Sequence, residues 1–173
     1  MYERMFLTKN ENWKAFTQPG EKIKIGFLST DEKRRVLVEL IEVSGKKVKA
    51  ELRIYQAQDL PDPKNFNFLI SIEEAEDLLK ICQDPILSYT KYLFGIRSNI
   101  YTLSDTQIWY VKEYEGPHKG FIISGVELHT AADTLFPPNW IGAEITNDPK
   151  YQDINILTCT LTPIQQVLGR VII

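Results

Sequence analysis

The chain has 173 residues, 43% of them hydrophobic and 25% charged, which fits one globular domain with its own core and excludes a disordered chain. Its formal net charge of -3 argues against nucleic acid as a partner, while leaving room for a local basic pocket. Cys82 and Cys159 lack metal-ligand spacing and read as small buried hydrophobes, and His118 and His129 are too isolated for a zinc site. There is no apolar signal core and no stretch near the ~18 apolar residues of a membrane span, so a cytoplasmic protein with no membrane contact is expected.

The chain opens MYERMFLT. As a strand it places Met1, Glu3, Met5 and Leu7 on one face, so that one carboxylate stands between two methionines. ENWKAFTQ (11–18) suits a short helix stopped by Pro19-Gly20. Alternating, β-branched runs then predict strands over 22–29, 34–43 and 46–55, with a hairpin turn at Gly45 between the last two. A polar loop with two prolines (56–64) leads to a strand over 65–72. Ser71 and Glu74 form a capping box for a helix whose apolar side is Ile72, Ala75, Leu79 and Cys82. Strands resume over 86–97, 106–115 and 120–129, the last two joined by GPHKG. AADTLF (131–136) suggests a helical turn and 140–146 a short strand. With no repeat or linker, one domain is expected over 1–173. The fold class is α+β, mainly antiparallel β, and a closed eight-stranded barrel with a few flanking helices would remove exposed edges.

Residues 106–157 carry three stretches in a telling order: GFIISGVEL, then PPNWIGAEIT, then DPKY. They resemble the C-terminal half of the CYTH family, the triphosphate tunnel metalloenzymes, with its patterns G-L-V-L-A-E-V-E-L, P-x-W-L-G-x-E-V-T and D-x-R-Y. Upstream, YERMFL, IGFL and EEAEDLL are weaker matches, and the tail 158–173 lies outside the resemblance. The resemblance implies an antiparallel tunnel with a polar interior. Arg and Lys grip a triphosphate there, and facing carboxylates hold Mg²⁺ or Mn²⁺. It implies hydrolysis of inorganic, thiamine or RNA 5′-triphosphates, or adenylate cyclisation. The residue types suit that chemistry, since clustered cations neutralise a triphosphate and hard Mg²⁺ takes carboxylate oxygens.

At the family's charged positions this chain departs repeatedly. E-x-E-x-K has become Met1, Glu3 and Met5; R-x-R has become Leu37 and Glu39; the T-I-K lysine has become Tyr55, with Arg53 nearby. Asn67 and Leu69 replace acids, and Tyr89 and Lys91 replace a K-x-R pair. Tyr110 and Lys112 replace the acids of W-E-V-D, and Gly125 replaces one acid of E-V-E while Glu127 keeps the other. Glu144 survives, and Lys150 stands for an arginine.

Alternation gives an interior with acids Glu3, Glu39, Glu51 and Glu127, and bases Lys49, Arg53, Lys91 and Lys112. Tyr55, Tyr89 and Tyr110 join them, with Met1, Met5, Leu37, Ile41 and Leu69 as apolar neighbours. Acids and bases in equal number are expected to pair, leaving no strong positive field. This favours a degenerate, non-catalytic CYTH-fold protein with no cofactor. It would bind an anionic or aromatic ligand, such as a phosphate compound, through Arg53, Tyr55, Tyr89, Lys91, Tyr110 and Lys112, or bind a protein partner or a second copy. The alternative is a metal-dependent triphosphate phosphohydrolase with a rearranged site, in which Glu3 and Glu127 hold Mg²⁺ or Mn²⁺.

Overall fold

A computed structural model describes residues 2–16, 19–31, 33–56, 64–82, 85–97, 106–153 and 156. Its strands run β1 (Tyr2–Thr8), β2 (Glu21–Ser29), β3 (Arg34–Val43), β4 (Lys46–Gln56), β5 (Asn65–Leu69), β6 (Leu87–Arg97), β7 (Thr106–Tyr114), β8 (Ile122–Leu128) and β9 (Ile141–Glu144). The helix α1 (Ile72–Ile81) follows β5, and short 3-10 turns cover Asn12–Phe16, Gly116–His118 and Pro149–Tyr151. Met1, Cys159 and the tail 158–173 lie outside the described residues.

The strands form one antiparallel sheet in the order β5-β4-β3-β2-β6-β7-β8-β1-β9. The α+β class and the antiparallel ladder match expectation, but the closed eight-stranded barrel does not. The sheet has nine strands, and no hydrogen-bonded ladder among the described residues joins β5 to β9. The ninth strand arises because the four residues of β9 pair with the free side of β1, where Phe6 faces Glu144.

Local chemistry explains the element ends. Ser71 accepts from the Glu74 amide, and Glu74 returns a bond from the Ser71 amide, so the chain leaves β5 early and enters α1. At the β3–β4 hairpin, Ser44 and Gly45 both take positive φ, as the tight turn demands. The expected helical turn over 131–136 is a loop instead. The Asp133 carboxylate accepts from the His129 and Thr130 amides and the Thr130 hydroxyl, which holds the chain in a turn.

Each sheet face has its own cover. On one face Val38, Leu40 and Ala50 pack with Ala75 of α1. Gly26 of β2 lies beneath the end of that helix, where a Cβ would come within 2.6 Å of Cys82 Sγ. Further along, Phe6, Trp13, Phe94, Trp109 and Trp140 form an aromatic cluster. The opposite face carries a second core of Ile23, Ile25, Leu37, Tyr89, Tyr114 and Ile123, and beside it lie the charged side chains.

Candidate functional site: a cavity flanked by like-charged strand pairs

The ladder confirms the alternation. Cross-strand partners Glu3–Glu127, Met5–Gly125 and Gly125–Tyr110 run from β1 through β8 to β7. Lys112–Lys91, Lys91–Glu21 and Tyr89–Ile23 continue through β6 to β2, and Ile25–Glu39, Glu39–Glu51 and Leu37–Arg53 complete the path to β4. Partners share a face, so Glu3, Arg53, Tyr89, Lys91, Tyr110, Lys112 and Glu127 all belong to one side of the sheet.

A cavity of about 300 Å³ opens on this side. Arg53, Tyr55, Tyr89, Lys91 and Lys112 line it, together with Glu39, Leu37 and Ile41. Two further acids reach it, Glu21 from β2 and Asp153 from beyond the last 3-10 turn. Neither was among the expected site residues. Glu21 is readable by extending the alternation of Ile23 and Ile25 one step back; Asp153 lies in no strand and carries no periodic signal.

Three like-charged pairs face one another on this sheet. Glu39 opposite Glu51 is the first, and Arg53 bridges it. The guanidinium donates to Glu39 at 3.0 Å through Nη2 and to Glu51 at 2.9 and 2.8 Å through Nε and Nη2. Lys49 adds an ion pair to Glu51 at 2.5 Å. The ammonium of Lys49 and then Arg53 hold Glu51 below the usual carboxylate range. Burial pushes Glu39 up, and only partly is it opposed by Arg53. Arg53 itself is held firmly charged: burial works against it, but Glu39, Tyr55 and Glu51 prevail.

The second pair is Lys91 opposite Lys112. Among the described residues neither makes an ion pair. Both ammonium groups lie over tyrosine faces instead: Lys91 sits 4.8 Å from the Tyr110 centroid, and Lys112 sits 5.1 Å from Tyr89 and 5.4 Å from Tyr110. Burial, then repulsion from Lys112, lowers the Lys91 pKa. Burial also disfavours the Lys112 ammonium, which the Tyr89 ring and Asp153 hold charged. Equal numbers of acids and bases therefore do not cancel. Among the described residues, ion pairing of these groups is confined to the β3–β4 end, and Lys91 and Lys112 have no bonded counterion.

Glu3 opposite Glu127 is the third pair. Both are exposed, and Glu3 accepts a hydrogen bond of 2.5 Å from the Tyr110 hydroxyl. Two facing carboxylates of hard oxygen character suit a divalent cation, but no group of three or more His, Cys, Asp or Glu among the described residues could complete its shell. Glu144 belongs elsewhere. It receives Arg4 through two bonds of 2.7 Å and Thr146 at 2.6 Å, which ties β9 to β1 on the opposite face. Lys150 is exposed near Tyr151.

No family profile matches the chain. An inorganic triphosphatase of Acetivibrio thermocellus is 24% identical over 156 residues, covering 90% of this chain and 91% of that protein. The crystal structure of the inorganic triphosphatase NE1496 superposes with a TM-score of 0.62 at 18% identity, covering 94% of this chain and 99% of the other. A second structure of NE1496 gives 0.60 at 19% identity. No described helix is long and apolar enough to cross a membrane. The chain thus shares the fold of the NE1496 triphosphatase along nearly its whole length.

Proposed function

We propose that this protein is a divalent-metal-dependent phosphohydrolase acting on a triphosphate, bound at the lysine pair that lines the cavity, with Glu3 and Glu127 on the same sheet face outside the cavity lining. The observation that carries the reading is Lys91 opposite Lys112 in a cavity, with an ion pair to neither among the described residues. Like charges directly opposite on a sheet are destabilising, and a polyanion between them removes that cost. The curated relative, an inorganic triphosphatase matched over 90% of this chain, favours this enzyme reading over the non-catalytic one. That other reading rested on charges missing from the family pattern and on their mutual cancellation.

Lys91 and Lys112 bind and orient phosphate oxygens, while the rings of Tyr89 and Tyr110 wall the cations from water. Glu3 and Glu127 hold Mg²⁺ or Mn²⁺. A pair of carboxylates is a short ligand set, and it fits a Mg²⁺ ion that arrives with substrate phosphates and keeps waters in its shell. Such an ion, when bound, neutralises charge on the phosphoryl oxygens and makes water a better nucleophile. Arg53, engaged by two carboxylates, fixes the β3–β4 wall rather than gripping substrate.

The test is phosphate release from inorganic triphosphate with Mg²⁺ or Mn²⁺, beside a Glu127→Ala control. Metal-dependent turnover that the substitution lowers by about a hundredfold or more, as expected for loss of a transition-state electrostatic contact, supports the reading. Absence of turnover above the control with inorganic, thiamine and adenosine triphosphates removes it.

A further inference from the structure

We infer that Tyr110 is a positioning residue that joins the cationic and acidic halves of the site and orients the Glu3 carboxylate for its cation. The inference rests on the proposed reading of Glu3. Three independent features of the packing meet at this ring. Its hydroxyl crosses β8 to donate to Glu3 Oε1 on β1 at 2.5 Å, so a side chain of β7 reaches two strands away. Its face receives Lys91 at 4.8 Å and Lys112 at 5.4 Å. Its path is open only because residue 125 is glycine.

The last point is quantitative. A Cβ at Gly125 would stand 2.2 Å from Tyr110 Cζ and 2.3 Å from its hydroxyl oxygen. The φ of Gly125 is not in the positive region that requires glycine, so the constraint is steric. Gly125 and Tyr110 are cross-strand partners, and the ring occupies the volume that a side chain at 125 would fill. The two residues act as one unit.

The chemistry of the unit is one-directional. Tyr110 is 2% exposed, and its hydroxyl donates to Glu3. It fastens one oxygen of Glu3, whose cross-strand partner is Glu127. Outer hydrogen bonds of this kind set the orientation of metal-binding groups.

The experiment is a titration of Mn²⁺ alone into the whole protein, with free Mn²⁺ read by electron paramagnetic resonance, alongside steady-state kinetics on inorganic triphosphate. Tyr110→Phe keeps the ring and removes the donor; Gly125→Ala displaces the ring. Each is expected to weaken Mn²⁺ binding by about tenfold. At saturating Mn²⁺, Tyr110→Phe should leave KM for triphosphate within about twofold, because the ring still faces both lysines. The double variant should bind Mn²⁺ no more weakly than the weaker single one, as expected for a shared path. A Tyr110→Phe variant with wild-type Mn²⁺ affinity overturns the inference alone. So does one whose Mn²⁺ affinity and KM worsen together with a lowered melting temperature, since that is a packing defect. Wild-type protein that binds no Mn²⁺ alone overturns the role of Tyr110, and if it also releases no phosphate the proposed function falls with it.

Discussion

Glu39 is buried beside its one guanidinium partner, and burial raises its pKa from the ordinary 4.5. A carboxyl whose pKa is higher when folded stabilises the protein fully below its unfolded value, and that contribution is lost as pH rises through the folded value. Glu39→Gln mimics the neutral form. The variant should match wild type in urea denaturation below about pH 4 and exceed it by roughly 1 kcal/mol at neutral pH. The Gln oxygen still accepts from Arg53, but the cavity loses one negative charge, which should lower KM for triphosphate a few-fold. A variant less stable at pH 7 would mean that the Arg53 bridge outweighs the burial of the charge. The sequence revealed much at this scale. Strict alternation assigns Glu3, Arg53, Tyr89, Lys91, Tyr110, Lys112 and Glu127 to one face, and the ladder agrees. It could not reveal which charges pair. That depends on strands far apart in the chain sitting in one register, and on Arg53 reaching Glu39 and Glu51 together.

Elements were legible where their signals were local. The capping box of α1 and the glycine hairpin between β3 and β4 are each contained in a few residues, and most strand bounds agree with the alternating runs. The edge of the sheet was not legible, because whether it closes depends on which distant strands meet. Its last strand, β9, has only four residues, too few to hold an edge by ladder bonds alone. Glu144 supplies the rest through the two bonds of 2.7 Å from Arg4, while the Thr146 hydroxyl links the Met5 amide to Glu144. Glu144→Ala should therefore cost about 1 kcal/mol, the scale of a well-formed bidentate pair with partial exposure. Triphosphate hydrolysis per folded molecule should be unchanged, because Glu144 lies away from the cavity. The Arg4 bond holds the Glu144 pKa below 4.5. Its contribution is present above that value and fades as pH falls through the folded one, so the variant and wild type should converge in acid unfolding. A large loss of activity at full stability would place Glu144 in the chemistry instead.

For the molecule as a whole, the lysine pair sets the site against stability. Burial and the neighbouring Lys112 lower the Lys91 pKa, while Glu127, Glu3 and Glu21 support its charge from a distance. An ammonium whose pKa is lowered by folding destabilises the protein at neutral pH, and this cost disappears as pH rises past the unfolded value of 10.5. Lys91→Met keeps an unbranched, flexible stem over the Tyr110 face and removes the charge. It should raise the melting temperature of the ligand-free protein at pH 7, with the difference shrinking toward alkaline pH. The wild type recovers the cost only when an anion arrives. Triphosphate added with a chelator binds without turnover, and at a hundredfold excess over its Kd it should stabilise wild type by about 2.7 kcal/mol, roughly 5–10 °C in a domain of this size. Lys91→Met should show little of that shift. The pair of scans separates two origins of the buried charge. If Lys91 is a structural cation neutralised by distant acids, Lys91→Met lowers the melting temperature and the anion shifts both proteins alike. If the pair exists to hold phosphate, the variant is the more stable protein when empty and the less stable when triphosphate is present, and the two melting curves exchange order.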